Sequence, residues 1–470
     1  MMRRCARMSD RVLHRSDLPP GGSRVHLLGV AGAGMRALAA VLVEEGWMVS
    51  GSDRNAGSAA DLSTTGVTVV PDDDTGHAVD SALVVHSSAI AATHPARVAA
   101  ERAGVPVMKR SSVLGALVND RRLVAVAGTH GKTTVTTMLG LALEAAGRDP
   151  LVLVGGHVSE WGGHARFGAG PEAVVEADEY DRSFLQLDPT LAVVTSVEAE
   201  HLECYVDEEE LRSSFATFAR RAVNREGVLV CNDDEGARAL AERLPATTSY
   251  GFDESSDYRL QVIASAADGQ RCRLRGPDLD LSFDLGAAGA HNAQNAAAAL
   301  IAASRLGADA RTLSGCLGHF RGVERRLQKI ASRGGVIVVD DYAHHPTEVR
   351  ASIAAVRSAW PAARIVAVFQ PHLYSRTRDM AVEFRQALAR ADRVLVLPIY
   401  AAREAALPGV SSGLVVRGAP GHVSLSLEEE AIELVKNARR DTVFLFMGAG
   451  DITEAAHRAA RELESHALGV

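Results

Sequence analysis

Residues 123–134 read LVAVAGTHGKTT: an apolar run of β character, a glycine-bounded loop, and then Lys132, Thr133 and Thr134 opening a segment whose apolar positions recur at Val135, Met138 and Leu139. Strand, short glycine loop and helix in that order point to an α/β architecture, with the strand in a sheet and the helix packed back on it. Such a turn gathers backbone N–H groups and the positive end of the helix around a phosphate, while the lysine neutralises it and the next hydroxyl suits Mg²⁺. The candidate contacts to a nucleoside triphosphate are therefore Gly128, Thr129, His130, Gly131, Lys132, Thr133 and Thr134. The loop is short, with Gly128 three residues before Gly131 where the general phosphate loop has a spacing of about five. Lysine at this position carries weight, because the chain has only four (Lys109, Lys132, Lys329 and Lys436) among 50 basic residues.

With 470 residues the chain has room for about three domains. Its 47% hydrophobic and 23% charged content is that of an ordinary soluble globular protein, and a net charge of −8 argues against nucleic acid or an anionic membrane as the main partner. Five scattered cysteines (Cys5, Cys204, Cys231, Cys272 and Cys316) form no CxxC pair, which fits the reducing cytoplasm and neither a disulfide frame nor a cysteine metal site. The basic start MMRRCARMSDRVLHR runs into DLPPGG rather than an apolar core segment, so no signal peptide is expected, and Met8 is a candidate start. No run of about 18 apolar residues is present to span a membrane.

Alternation of strand and helix divides the chain into expected units at 1–119, 120–328 and 329–470. The first opens with a strand at 24–30, a helix at 35–45 and a strand at 47–51, followed by strands at 82–86 and 105–108. Between the first strand and helix lie Gly29, Gly32 and Gly34, and Asp53 follows the second strand, a pattern suited to a pyrophosphate and a ribose hydroxyl. The spacing is GxxGxG rather than GxGxxG, which weighs against a nicotinamide site, and a glycine turn of purely packing origin would look similar. The middle unit alternates strands at 173–177, 191–195 and 227–231 with helices near 210–223 and 235–243. Short alternating runs between 258 and 285 then read as an antiparallel insertion, and an alanine-rich helix follows over 292–306. The third unit has strands at 336–340, 364–369, 393–399 and 442–447. Their ends carry Asp341 to His345, Gln370 to His372, Tyr400 to Glu404 and Gly448 to Asp451, polar clusters on the rim where open parallel sheets bind ligands.

A phosphate loop works with a metal, and hard ligands stand at two strand ends, in the run EADEYDRSF from Glu176 and the run EAEH from Glu198 to His201. With Thr133 these can assemble an oxygen and imidazole site for Mg²⁺, although a solvated acidic loop would read alike. Arg325 and Arg326, between the second and third units, can reach a transferring phosphate or form an interdomain ion pair.

Together the strings GVAGAGM, GTHGKTT, EADEYDRSF, HNAQNA, FRGVERR, DDYAHHPTE, FQPHLYSRT and MGAGDI, in that order over residues 23–455, resemble the Mur ligases of bacterial cell-wall synthesis. The resemblance implies a Rossmann-like UDP-sugar-binding domain, a central ATPase domain with a mostly parallel sheet, and a C-terminal Rossmann-like amino-acid-binding domain. It implies ATP-dependent joining of L-alanine to the lactyl carboxylate of UDP-N-acetylmuramate, with ATP and Mg²⁺ as cofactors, in a cytoplasmic monomer or weak homodimer. Gly29, Ala31, Gly32, Ala33, Gly34, Met35, Asp53, Ser87, Ser88, His130 and Ser183 would then hold the UDP-sugar. Lys132 and Thr133 would serve the ATP phosphates and the metal, with Glu179 and His201 as further metal ligands. Asn292 and Asn295 would contact adenine, Arg326 and Asp341 would reach the nucleotide, and Tyr342, His344, His372 and Arg376 would face the amino acid and acyl group. Lys132, His201, Asp341, His344 and Arg376 are the expected catalytic set, and domain closure is expected because they lie on separate units.

Three positions depart from the family pattern: Leu373 where arginine is frequent, Glu200 where aspartate is usual, and Ser196 in place of a common asparagine. Two rivals stand beside the main expectation. A relative that attaches a recycled tripeptide to the same sugar nucleotide is disfavoured by FQPHLYSRT. A nicotinamide dehydrogenase or nucleotide sensor is disfavoured by the second nucleotide loop.

Overall fold

The computed structural model describes residues 11–465 apart from 201–203, 267 and 403, so the expected metal ligand His201, as well as Arg403 and Cys5, lies outside the described residues. The strands, in chain order, are β1 (Arg24–Leu28), β2 (Met48–Ser52), β3 (Thr68–Val70), β4 (Leu83–His86), β5 (Val107–Lys109), β6 (Arg122–Ala127), β7 (Leu151–Val158), β8 (Gly163–Arg166), β9 (Glu172–Glu176), β10 (Leu191–Val194), β11 (Gly227–Cys231), β12 (Thr248–Gly251), β13 (Tyr258–Ala266), β14 (Gly269–Arg275), β15 (Asp280–Leu285), β16 (Gln328–Arg333), β17 (Val336–Asp341), β18 (Arg364–Phe369), β19 (Arg393–Val396), β20 (Val423–Leu425) and β21 (Thr442–Met447). Among the described residues they form three sheets, ordered β3-β2-β1-β4-β5, then β15-β14-β13-β12-β11-β10-β6-β9-β7-β8, then β16-β17-β21-β18-β19-β20.

Each order decides where ligands can go. In the first, all-parallel sheet the chain reverses direction between β1 and β4, so the glycine loop after β1 and Ser87–Ser88 after β4 flank the switch point where open α/β sheets bind. In the second, β6 lies between β10 and β9, parallel to both. The phosphate loop after β6 is therefore flanked by the acidic segments after β9 and β10. In the third, β17, β21, β18, β19 and β20 run parallel, which sets four strand ends on one rim, while β16 pairs antiparallel at the edge.

The first two sheets lie in one compact unit (1–261, 273–282 and 294–317) and the third in another (262–272, 283–293 and 318–470), with the insertion strands divided between them. Parallel strands covered on both faces read as continuous apolar runs, and β21, TVFLFM, is buried at every position. The helix Ile452–Ser465 turns Ile452, Ala455, Ala456, Ala459, Ala460 and Leu463 to the core at i, i+3, i+4 spacing. No helix among the described residues is long and apolar enough to cross a membrane.

Several elements go beyond the sequence expectation. Strand β3 is only three residues long, the β7–β8 pair is interrupted by Gly155 and Gly156, and β16 reads QKIASR, so none offers a run long or apolar enough to register as a strand. The expected strands at 24–30 and 393–399 stop at Leu28 and Val396, because the residues after them turn into the rim loops.

Candidate active site

The phosphate loop is built by close approach. Gly128 (φ 138°) and Gly131 (φ 83°) adopt conformations that L side chains rarely take, and a Cβ at these positions would sit 2.0 Å from Thr195 Oγ1 and 2.6 Å from Asn295 Oδ1. The segment after β10 clamps the loop: Thr129 N–H donates to Ser196 O (3.0 Å), His130 N–H to Ser196 Oγ (2.9 Å), and Glu198 N–H to Thr129 Oγ1 (2.8 Å). A serine at 196 thus supplies the acceptor that the loop uses.

Lys132 opens the helix Lys132–Ala145 and folds back over the loop, donating to Gly128 O (2.6 Å) and to both oxygens of Glu179 (2.8 and 3.1 Å). Burial works against its ammonium charge, but the carboxylates of Glu179, Asp178 and Glu176 outweigh burial and hold its pKa above the ordinary value. Thr133 Oγ1 donates to Glu176 (2.9 and 3.0 Å), and Glu176 also accepts Gly155 N–H (2.7 Å). Glu176 was visible in the acidic run, but only the fold places it on Thr133. Thr133, Glu176 and Glu179 thus bring hard oxygen donors to a helix N-terminus beside a lysine, the donor type that Mg²⁺ takes.

At the first sheet's rim, Asp53 accepts the N–H of Ala31 (3.0 Å) and of Asn55 (3.0 Å), so its carboxylate braces the glycine loop. Gly32 caps the helix Ala33–Glu44, and Met35 turns its side chain into the core (1% exposed) with its N–H on Gly32 O. A Cβ on Gly29 would lie 2.8 Å from Ser87 Oγ, and one on Gly34 would lie 2.9 Å from Arg110 Nη1. Ser88 Oγ and Lys109 Nζ both donate to Asp181 Oδ2, at 2.7 and 2.9 Å. Lys109, Arg110 and Asp181 therefore belong to this rim. The sequence signals are the acidic run that holds Asp181, the position of Lys109–Arg110 at a strand end and the scarcity of lysine. Ser183 lies two residues beyond Asp181 in the turn Tyr180–Gln186.

The second unit gathers the remaining candidates apart from Asn295, which lies in the first unit against Gly131. Asn292 and Arg326 line one cavity of about 320 Å³, with Arg321, Lys329 and Trp360 among its walls. Asn292 Nδ2 donates to Ala288 O (2.8 Å), which orients the amide. Asp341 is buried, and burial pushes its carboxyl up to about 6. Its oxygens accept Ala343 N–H (2.7 Å) and Leu327 N–H (2.8 Å), so it ties the 325–327 segment to the end of β17. Glu348, which reads in sequence only as a helix-capping residue, lies 3.6 Å from Arg326 Nη1 and 3.2 Å from His344 Nδ1. Tyr342, His344, His372 and Tyr400 form a ring series with centroids 5.2, 5.9 and 5.9 Å apart. Leu373 caps the helix Tyr374–Asp379 at φ 69°, and Arg376 lies in that helix's interior.

Three family descriptions match the chain: the Mur ligase family catalytic domain over 24–122, the Mur ligase middle domain over 126–303, and the Mur ligase glutamate ligase domain over 325–450. A UDP-N-acetylmuramate–L-alanine ligase of Chlorobaculum parvum is 41% identical over 449 residues, covering 93% of this chain and 95% of that one. A ligase of the same name from Paenarthrobacter aurescens is 42% identical over 441 residues, covering 92% and 95%. The crystal structure of a UDP-N-acetylmuramate–alanine ligase from Thermotoga maritima superposes with a TM-score of 0.78 at 27% identity, covering 94% of this chain and 99% of that one. A murein peptide ligase from Psychrobacter arcticus shares the fold, with a TM-score of 0.68 at 23% identity. Phosphate loop, clamp and rim residues thus sit in a chain that matches these relatives from its first sheet to its last, and it belongs to the Mur ligase family.

Proposed function

We propose that this chain joins L-alanine to the lactyl carboxylate of UDP-N-acetylmuramate, using ATP and releasing ADP and phosphate. The observation that carries the reading is identity above 40% to ligases of that name across more than nine-tenths of the chain. A carboxylate is a poor electrophile, so its oxygen first attacks the γ-phosphorus and displaces ADP. Lys132 is placed to counter the charge on the phosphoryl oxygens, where preorganised cations contribute most. Thr133, Glu176 and Glu179 would hold Mg²⁺, which would supply charge neutralisation to the triphosphate. The neutral amine of L-alanine then attacks the acyl carbon, and the tetrahedral adduct collapses to the amide as inorganic phosphate departs. By the family resemblance Asn292 and Arg326 are assigned to adenosine and the His344–His372 pair to the incoming amine, and the guanidinium of Arg376 suits the alanine carboxylate.

Phosphate release from ATP with magnesium is the direct test. Release is expected only when UDP-N-acetylmuramate and L-alanine are both present. Release that ignores the sugar nucleotide, or that needs a tripeptide in place of alanine, would overturn the assignment.

A further inference from the structure

Arg325 and Arg326 are neighbours in sequence with different surroundings. Arg326 lines the cavity that holds Asn292 and stands 3.6 Å from Glu348. The guanidinium of Arg325 is engaged inside the fold. Its Nη2 donates to Gly448 O (2.7 Å) and Gly450 O (3.0 Å) in the loop after β21, and its Nε lies 4.0 Å from Asp340, which is fully buried. Its Cζ also lies 4.8 Å from the centre of the Tyr342 ring. The backbone is held as closely. Arg325 (φ 60°) and Leu327 (φ 50°) are left-handed, an uncommon state for such residues that the surroundings must impose. Tyr342 N–H donates to Arg325 O (2.6 Å), and Leu327 N–H donates to Asp341 (2.8 Å).

The loop that Arg325 grips supports the other half of the third sheet's rim. A Cβ on Gly448 would stand 2.9 Å from Gln370 O, and one on Gly450 would strike the ring of Tyr400, so the loop backbone lies directly against both residues. Asp451 accepts Gln370 Nε2 (2.7 Å), and Tyr400 stacks on His372 with ring centroids 5.9 Å apart. We infer that Arg325 is a positioning residue: it ties the segment that carries Arg326 to the loop behind Tyr400 and His372, and so holds the nucleotide side and the amino-acid side of one rim in their working poses. With the tie cut, each side keeps its residues but spends less time in that pose. Each substrate then meets a smaller competent population and binds more weakly, and saturation with both restores the poses. The inference rests on the functional reading above, which gives Arg326 to the nucleotide and the His344–His372 pair to the amine.

The test is phosphate release by the whole protein, with KM measured for ATP, L-alanine and UDP-N-acetylmuramate in turn. Arg325→Met is expected to raise KM for ATP and for L-alanine by roughly 10-fold each, the scale of one hydrogen bond to a charged group. KM for the sugar nucleotide should stay at the parent value, and kcat within about 3-fold of it, because Arg325 touches no reacting atom. Arg325→Lys keeps a charge beside Asp340, but it is one atom shorter and lacks the planar group over Tyr342, so both constants should rise by roughly 3-fold. Loss of Arg325 also leaves buried Asp340 without this cation, and the double variant Arg325→Met, Asp340→Asn separates that cost from the tie. Its melting temperature should return towards the parent's while both KM values stay raised. A double variant whose KM values return with its stability would overturn the inference, since Arg325 would then serve only to neutralise Asp340. So would an Arg325→Met protein with raised KM for ATP and the parent's KM for L-alanine, which would make Arg325 a nucleotide contact. Parent values of both constants in Arg325→Met or, should it not fold, in Arg325→Lys would overturn it too. Parent protein that releases no phosphate with UDP-N-acetylmuramate and L-alanine would instead overturn the functional reading on which the inference stands.

Discussion

Lys132→Ala is expected to reduce phosphate release by roughly 10³-fold, the scale on which loss of a preorganised charge at a transferring phosphoryl group is felt. The same substitution should also cost stability, because the lysine is not a free surface cation. Its partner Glu179 is 1% exposed, and removing one member of a buried ion pair typically costs about 3–5 kcal/mol. Melting temperature in the absence of metal and nucleotide should therefore fall by roughly 10 °C. The two effects separate in the double variant Lys132→Ala, Glu179→Ala, which removes the carboxylate with the lysine: part of the melting temperature should return, and activity should not. If the double variant regained phosphate release, Lys132 would be a structural residue and the loop would have to find its cation elsewhere.

How far such a site can be read from sequence depends on how local its parts are. The phosphate loop was legible because β6, Gly128, Gly131 and Lys132 are contiguous, and the buried strands beside it were legible because parallel strands covered on both faces are unbroken apolar runs. Alternation announced most strands of the first sheet but not their order, which sets the loops after β1 and β4 side by side. What stayed hidden is paired at a distance. Asp181 reaches Ser88 across 93 residues and Lys109 across 72, and its left-handed backbone falls on Asp-Arg, where no glycine marks it. Glu348 carries the spacing of a capping box at the helix Pro346–Ala359, so its second task between Arg326 and His344 leaves no separate trace. Asp53 and Asp341 teach the converse lesson. Each sits at a strand end where a ligand carboxylate belongs, and each gives both oxygens to backbone N–H groups. Positions of this kind read as ligand contacts in sequence, and the fold adds a bracing task that the sequence does not announce.

Gly128→Ala should damage both stability and turnover. At φ 138° the alanine backbone is strained by about 1–3 kcal/mol, and its Cβ would stand 2.0 Å from Thr195 Oγ1 and 2.9 Å from the backbone nitrogen of Ser196, a clash worth about the same again. The loop can relieve this only by parting from the 195–198 segment, which gives up the bonds from Thr129 and His130 that fix its shape. Melting temperature is expected to drop by roughly 10 °C, and phosphate release by at least 100-fold, because the N–H groups that face the anion no longer converge. Adding Thr195→Ala tests the cause. It removes the nearest clashing atom but also the hydroxyl that donates to Ala127 O (3.2 Å) and His130 O, a loss of about 1 kcal/mol. The double variant should therefore regain part of the melting temperature and little activity, since Ser196 N and the backbone strain remain. A Gly128→Ala protein that melts and turns over like the parent would mean that the loop does not close on the segment after β10, and the clamp around the phosphates would have to be abandoned.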